Sequence, residues 1–203
     1  MKIDHRKVIS GDKILFHTKG FSPVSYAIRK LTSSYWNHVG QIIREDGELY
    51  VIEALFGGVK KNPLEKYLWN NSYDLKVVRL KRDAFKDNAE YEQGIRISNT
   101  RMINKIGDKY DFFAIAFLGI KYVLHGYYKA IKNRLPKKYQ NINWFQSRSK
   151  FFCSEAICLS DYNISTLYPY LYAGKTNQHC GLTTPKDIGK SIRVGYVTGR
   201  DVT

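Results

Sequence analysis

The sequence predicts an α+β fold, an antiparallel sheet packed on helices. Two observations carry this. Short β-branched runs come as neighbours joined by tight-turn residues, most clearly HVGQIIREDGELYVIEAL, residues 38–55. Segments with helical apolar spacing and helix-start residues fall between and after such runs. No internal repeat or Pro/Gly-rich linker divides the 203 residues, so one domain is expected, with 112–150 as a basic, apolar and loop-like insertion.

In chain order, Ile14–Phe16 is expected as a short strand after a Gly-Asp turn. Val24–Leu31 has helical spacing, with Pro23 at its first turn. Asp46-Gly47 between two β-branched runs predicts a two-residue hairpin loop, because both central residues of a type I′ turn need positive φ. Glu45 then opposes Glu48, Gly40 opposes Glu53, and His38 opposes Leu55. Asn62-Pro63-Leu64-Glu65 has the pattern of a helix start, with Asn62 as N-cap, Pro63 as first helical residue and Glu65 reaching back. Leu75–Leu80 is expected as a strand. Asp83 to about Ile106 is expected as a helix, with Phe85, Ala89, Ile95, Met102, Ile103 and Ile106 as core candidates and Gly94 as a weakness. Cys153 to about Ser160 is a further helix, Thr184 caps another, and Ile192–Val197 is a last strand.

Composition narrows the function classes. Thirty-three Lys and Arg against 18 Asp and Glu give a formal charge of +15, which attracts anions: nucleic acid, acidic lipid headgroups or cell-wall polymers. The charge is concentrated. Residues 112–154 contain no acid and eight bases. This stretch includes the longest apolar run, Phe112–Leu124, which is too short to span a bilayer and suits a core helix or a helix at a membrane surface. The start, MKIDHRKVISGDK, lacks an apolar leader. Three cysteines without framework spacing argue against a disulfide scaffold and for a reducing compartment. A cytoplasmic location is therefore expected, compatible with peripheral membrane association. No nucleic-acid module, phosphate-binding glycine loop or spaced metal-ligand set is present, so no specific nucleic acid is predicted as partner.

The candidate chemistry lies in FFCSEAICLS. A thiol at a helix N-terminus is pushed toward the thiolate, and the unpaired first-turn N–H groups can hold an oxyanion. Cys153 occupies that position. Cys158, among Ile157 and Leu159, has the surroundings of an inert buried thiol. A cysteine nucleophile needs a base and an orienting group. The hairpin register supplies both, since His38 and Glu53 become diagonal neighbours on one face. A one-residue slip would separate them. Taken alone, Cys153 beside two phenylalanines suits core filling better than catalysis, and the His38/Glu53 pair suits an ordinary exposed sheet face better than a catalytic pair. His5, His17, His125 and His179 have weaker claims.

The ordered segments GDKILF, NHVGQII, LYVIEA, GGV with PLEKYL, KYDFF, FFCSEAI and TTPKDI resemble the permuted NlpC/P60 papain-like cysteine hydrolases, the YiiX-like group related to lecithin:retinol acyltransferase-like proteins. In the unpermuted enzymes the cysteine helix precedes the histidine strand. Here the histidine comes first. The resemblance runs from about Gly11 to Ile188. It implies a circularly permuted papain-like fold with Cys153 as nucleophile, His38 as base and Glu53 as third member. It also implies Tyr110 and Asp111 near the cleft. Trp36, where smaller residues are more usual, would make the rim of the substrate site bulkier.

The implied reaction is acyl transfer without a metal or organic cofactor: cleavage of an amide in a peptide, cell-wall peptide or lipid-linked substrate through a thioester. Two alternatives stand beside it. One is a lipid acyltransferase or thioesterase at an anionic membrane. The other is a non-catalytic binder of polyanions that keeps the fold for its basic surface.

Overall fold

The computed structural model describes residues 3–20, 25–26, 29, 34–55, 57–110, 150–151, 153–172, 180 and 183–200. Its centre is a six-stranded sheet in the order β4-β3-β2-β1-β5-β8, with every neighbouring pair antiparallel. The strands are β1 (Lys13–Thr18), β2 (His38–Glu45), β3 (Glu48–Leu55), β4 (Gly58–Pro63), β5 (Tyr73–Leu80) and β8 (Val194–Gly199). A second, parallel pair joins β6 (Lys109–Tyr110) to β7 (Lys150–Phe151). The helices are α1 (Glu65–Leu68), α2 (Asn88–Ile103), α3 (Cys153–Ser160) and α4 (Pro185–Lys190). The expected α+β fold with an antiparallel sheet is the observed one.

The sheet buries both faces, because alternate residues of each strand point to opposite sides. One side gathers Ile14, Phe16, Ile42, Val51, Leu75 and Val77, with Tyr67 of α1 packed against them. The other gathers Leu15, Val39, Ile43, Ile52 and Val78 beneath α2, α3 and α4. The α3 helix is buried nearly all round, with Glu155 buried beside its apolar and small polar residues.

Local chemistry accounts for most elements. Asp46 and Gly47 take φ of 50° and 85°, so the hairpin forms in the expected register, Glu45 opposite Glu48 and Gly40 opposite Glu53. Pairing stops there. His38 and Leu55 do not pair, because β2 and β3 part beyond Gly40. Asp87 caps α2 by accepting from the Glu90 N–H at 2.8 Å. Inside α2, Gly94 is a close-packing position: a Cβ there would stand 2.8 Å from the Ile164 carbonyl. Thr184 and Asp187 form a capping box at the start of α4.

Several expectations are corrected. Asn62 and Pro63 do not start a helix; they end β4, and α1 begins at Glu65 with no side-chain cap. Pairing with β3 takes the backbone that the sequence pattern assigned to a cap. Within the expected 83–106 helix, Phe85, Ile95 and Met102 are core, whereas Ala89, Ile103 and Ile106 are exposed. The last strand begins at Val194, leaving Ile192 exposed. Cys158 is not a free thiol: it is disulfide-bonded to Cys180, with 5.3 Å between their Cα atoms. That bond removes the cysteine-based support for a reducing compartment. The insertion expected over 112–150 lies, apart from Lys150, outside the described residues, as does most of 24–31. No helix among the described residues is long and apolar enough to cross a membrane.

The ends of α3 are anchored by polar groups. At its C-terminal end Asp161, 1% exposed, pairs with the fully buried Lys13 of β1 at 3.0 Å. Lys13 also donates to Gln41 at 2.8 Å, and the hydroxyls of Ser98 and Tyr172 donate to Asp161. A buried ion pair survives only with such surrounding hydrogen bonds. Near its N-terminal end, Ser154 Oγ donates to the Thr183 carbonyl at 2.7 Å, and the disulfide ties the middle of α3 to the same following segment.

Candidate active site

Cys153 is the first residue of α3, and α3 packs on β2 where β2 leaves β3. The sulfur therefore faces the start of β2, where His38 sits. The backbone N–H groups of Val39 and of Ser154, in the first turn of α3, favour the thiolate form of Cys153. Cys153 is buried at 3% exposure, while the His38 side chain keeps 16%. The imidazole is thus the solvent-facing edge of the pair.

His38 Nε2 lies 2.7 Å from Glu53 Oε2. With Nε2–H donated to the carboxylate, the ring's other nitrogen, Nδ1, is the one available to the thiol. Glu53 is 1% exposed and accepts two further hydrogen bonds on Oε1, from Asn62 Nδ2 at 3.1 Å and from the Tyr67 hydroxyl. The Phe16 ring packs on both the His38 and Tyr67 rings, with centroids 5.2 Å and 5.1 Å away. Gly40 makes the crossing feasible. It stands opposite Glu53, and a Cβ there would lie 3.3 Å from the Glu53 Cβ and 2.5 Å from a Val51 methyl.

The electrostatics favour a charge-separated pair. Burial pulls the His38 pKa down, but the Cys153 sulfur and then Glu53 outweigh it and raise it to about 10. Burial alone would raise the Cys153 thiol. The His38 charge and hydrogen bond, with the Val39 and Ser154 N–H groups, bring it below its ordinary value. Glu53 is held low against burial by His38, Tyr67 and Asn62. A thiolate facing an imidazolium backed by a carboxylate can attack a carbonyl carbon and then supply a proton to the leaving group.

The structure brings Cys153, His38 and Glu53 together. Trp36 does not form a rim. It is 4% exposed and packs into the core near Leu15 and Gly189 of α4. The Tyr110 backbone pairs with Phe151, two residues before Cys153. The Tyr110 side chain and Asp111 lie outside the described residues. Tyr67 and Asn62 are site residues beyond those expected from the sequence. Pairing of β3 with β4 sets Val51 opposite Asn62, which makes Asn62 a diagonal neighbour of Glu53. The GG pair at 57–58, which opens β4, was the available signal for that pairing.

Residues 8–115 match the family model described as permuted papain-like amidase enzyme, YaeF/YiiX, C92 family. The chain belongs to this family. The matched segment contains His38 and Glu53; Cys153 lies beyond its end. Among solved structures, the chain is similar to the metalloprotein YiiX from Escherichia coli O157:H7. The identity is 16%, the TM-score 0.60, and the likeness covers 96% of this chain and 98% of that one. At this identity the likeness shows the fold, a permuted papain-like one. None of the curated proteins compared matches the chain significantly. As to a metal, no group of three or more His, Cys, Asp or Glu among the described residues is arranged to hold one. His38 and Glu53 are instead bonded to each other.

Proposed function

We propose that the protein is a cysteine amidase that cleaves an amide bond in a peptide or cell-wall-type peptide through a thioester on Cys153. The observation that supports this most is the order thiol, imidazole, carboxylate, with His38 bonded to Glu53 at 2.7 Å on one side and interacting with the Cys153 sulfur on the other. The Cys153 thiolate attacks the carbonyl carbon. First-turn N–H groups of α3, which lack intrahelical partners, accommodate the oxyanion. His38 Nδ1 gives its proton to the amine as the C–N bond breaks. Water then adds to the thioester with Nδ1 taking its proton, the C–S bond breaks, and the acid product leaves and gives its proton to solvent as the thiolate–imidazolium pair is restored. Glu53 holds the ring orientation and stabilises the imidazolium. Transfer of the acyl group to a lipid acceptor, the rival outcome, drew on the apolar 112–124 stretch, which is outside the described residues.

The test is the rate of iodoacetamide alkylation of Cys153 near pH 6. Cys158 and Cys180 are disulfide-bonded, so under non-reducing conditions Cys153 is the sole free thiol. Labelling much faster than that of the unfolded chain, and slowed by His38→Ala, is expected. An ordinary thiol rate, indifferent to His38, contradicts the proposal.

A further inference from the structure

The last pair in the site, Glu53 with its far-side donors, has a geometry that goes beyond orienting a histidine. We propose that Tyr67 and Asn62 act together as a positioning clamp on Glu53 that keeps the Cys153–His38 ion pair formed in acid, with Lys66 fixing the orientation of the Asn62 amide. This rests on the reading of Cys153 and His38 given above.

The carboxylate divides its work between its oxygens. Oε2 faces His38 and Oε1 faces Asn62 and Tyr67. Glu53 is 1% exposed, so an unassisted carboxylate would tend to take up a proton and cease to support an imidazolium. Both donors on Oε1 are neutral. They stabilise the anion without placing a second positive charge against His38, as a lysine or arginine there would.

Each donor is itself constrained. The Tyr67 ring is buried and meets Phe16 and Tyr73 edge-on, at 5.1 Å and 5.9 Å. Its hydroxyl, whose own ionisation burial and Glu53 suppress, has only its proton to offer a carboxylate. Lys66 Nζ lies 3.2 Å from Asn62 Oδ1. An ammonium only donates, so the amide oxygen must face Lys66 and Nδ2 must face Glu53. Among the described residues, the other titratable or charged groups near the carboxylate include Lys60, its exposed register neighbour on β4, Tyr73 beside Tyr67, and Cys153 beyond His38. One six-residue segment, Asn62–Tyr67, thus carries both donors and the lysine that orients one of them. This gives the uncapped, single-turn α1 a purpose.

The experiment is the full pH–rate profile of Cys153 alkylation by iodoacetamide in wild type, Tyr67→Phe, Asn62→Ala and His38→Ala. Tyr67→Phe keeps the ring packing, and near-UV circular dichroism checks the fold of each variant. In Tyr67→Phe and Asn62→Ala the acid limb should move up by about one pH unit, with labelling near its foot falling ~10-fold. Above the thiol pKa the rates should equal that of wild type, because the thiolate is then complete in all. Lowered thermal stability with an unmoved acid limb would overturn the clamp and leave the ion pair standing. A wild-type profile that His38→Ala does not change would remove the ion pair, and the clamp with it.

Discussion

Replacing Gly40 with alanine perturbs the site while leaving every titratable residue in the sequence. The added Cβ would lie 2.5 Å from Val51 Cγ1, 3.2 Å from the Ile52 carbonyl oxygen and 3.3 Å from the Glu53 Cβ. Val51 is fully buried, so its methyl has no free space to enter, and the carbonyl is backbone held in the β3 ladder. Overpacking of this kind costs about 1–3 kcal/mol, and a blocked backbone neighbour argues for the upper half of that range. At about 2–4 °C per kcal/mol for a chain of this length, the melting temperature should fall by about 4–12 °C. Relief requires β3 to retreat from β2. That retreat lengthens the 2.7 Å His38–Glu53 bond and should slow Cys153 alkylation near pH 6 roughly ten-fold, the size of a one-unit shift. Circular dichroism melts and alkylation rates measure the two effects. Gly20, with nothing within 4 Å of its added Cβ, is the control, and alanine there should change little. A Gly40→Ala protein that melts and reacts like wild type would refute the close-approach argument.

Two further predictions concern the anchoring of α3. Removing the disulfide with Cys158→Ser and Cys180→Ser reopens a loop of 22 residues' separation; the loss should be about 3 kcal/mol, read as a lower melting temperature. Lys13→Met leaves Asp161 as an uncompensated buried charge and should cost about 3–5 kcal/mol, whereas Lys13→Met with Asp161→Asn should recover much of it in denaturant titrations.

The hairpin shows what could be seen in the sequence. Asp46-Gly47 sets the turn, the turn sets the register, and a side-chain period of two puts His38 and Glu53 on one face. Cys153 was similarly visible because a helix start leaves a local pattern. The misses were non-local. Asn62-Pro63-Leu64-Glu65 has the local chemistry of a helix cap, and only its pairing with β3 redirects Asn62 to Glu53. The Cys158–Cys180 bond joins residues that share no local signal, and an odd cysteine count hid it. Trp36 beside the histidine suggested a rim, but its burial depends on Leu15 and α4, which are far away in sequence. Lys13 alternates correctly within a strand, yet nothing near it in sequence announces its partner Asp161.

The most direct measurement of the central claim is to trap the acyl-enzyme. The protein is mixed with an activated ester such as p-nitrophenyl acetate, quenched in acid within the first turnover, and mapped by peptide mass spectrometry. An acyl group is expected on the peptide carrying Cys153, absent in Cys153→Ala and formed far more slowly in His38→Ala. Undiminished turnover in Cys153→Ala, or an acyl group carried by another residue, would contradict it.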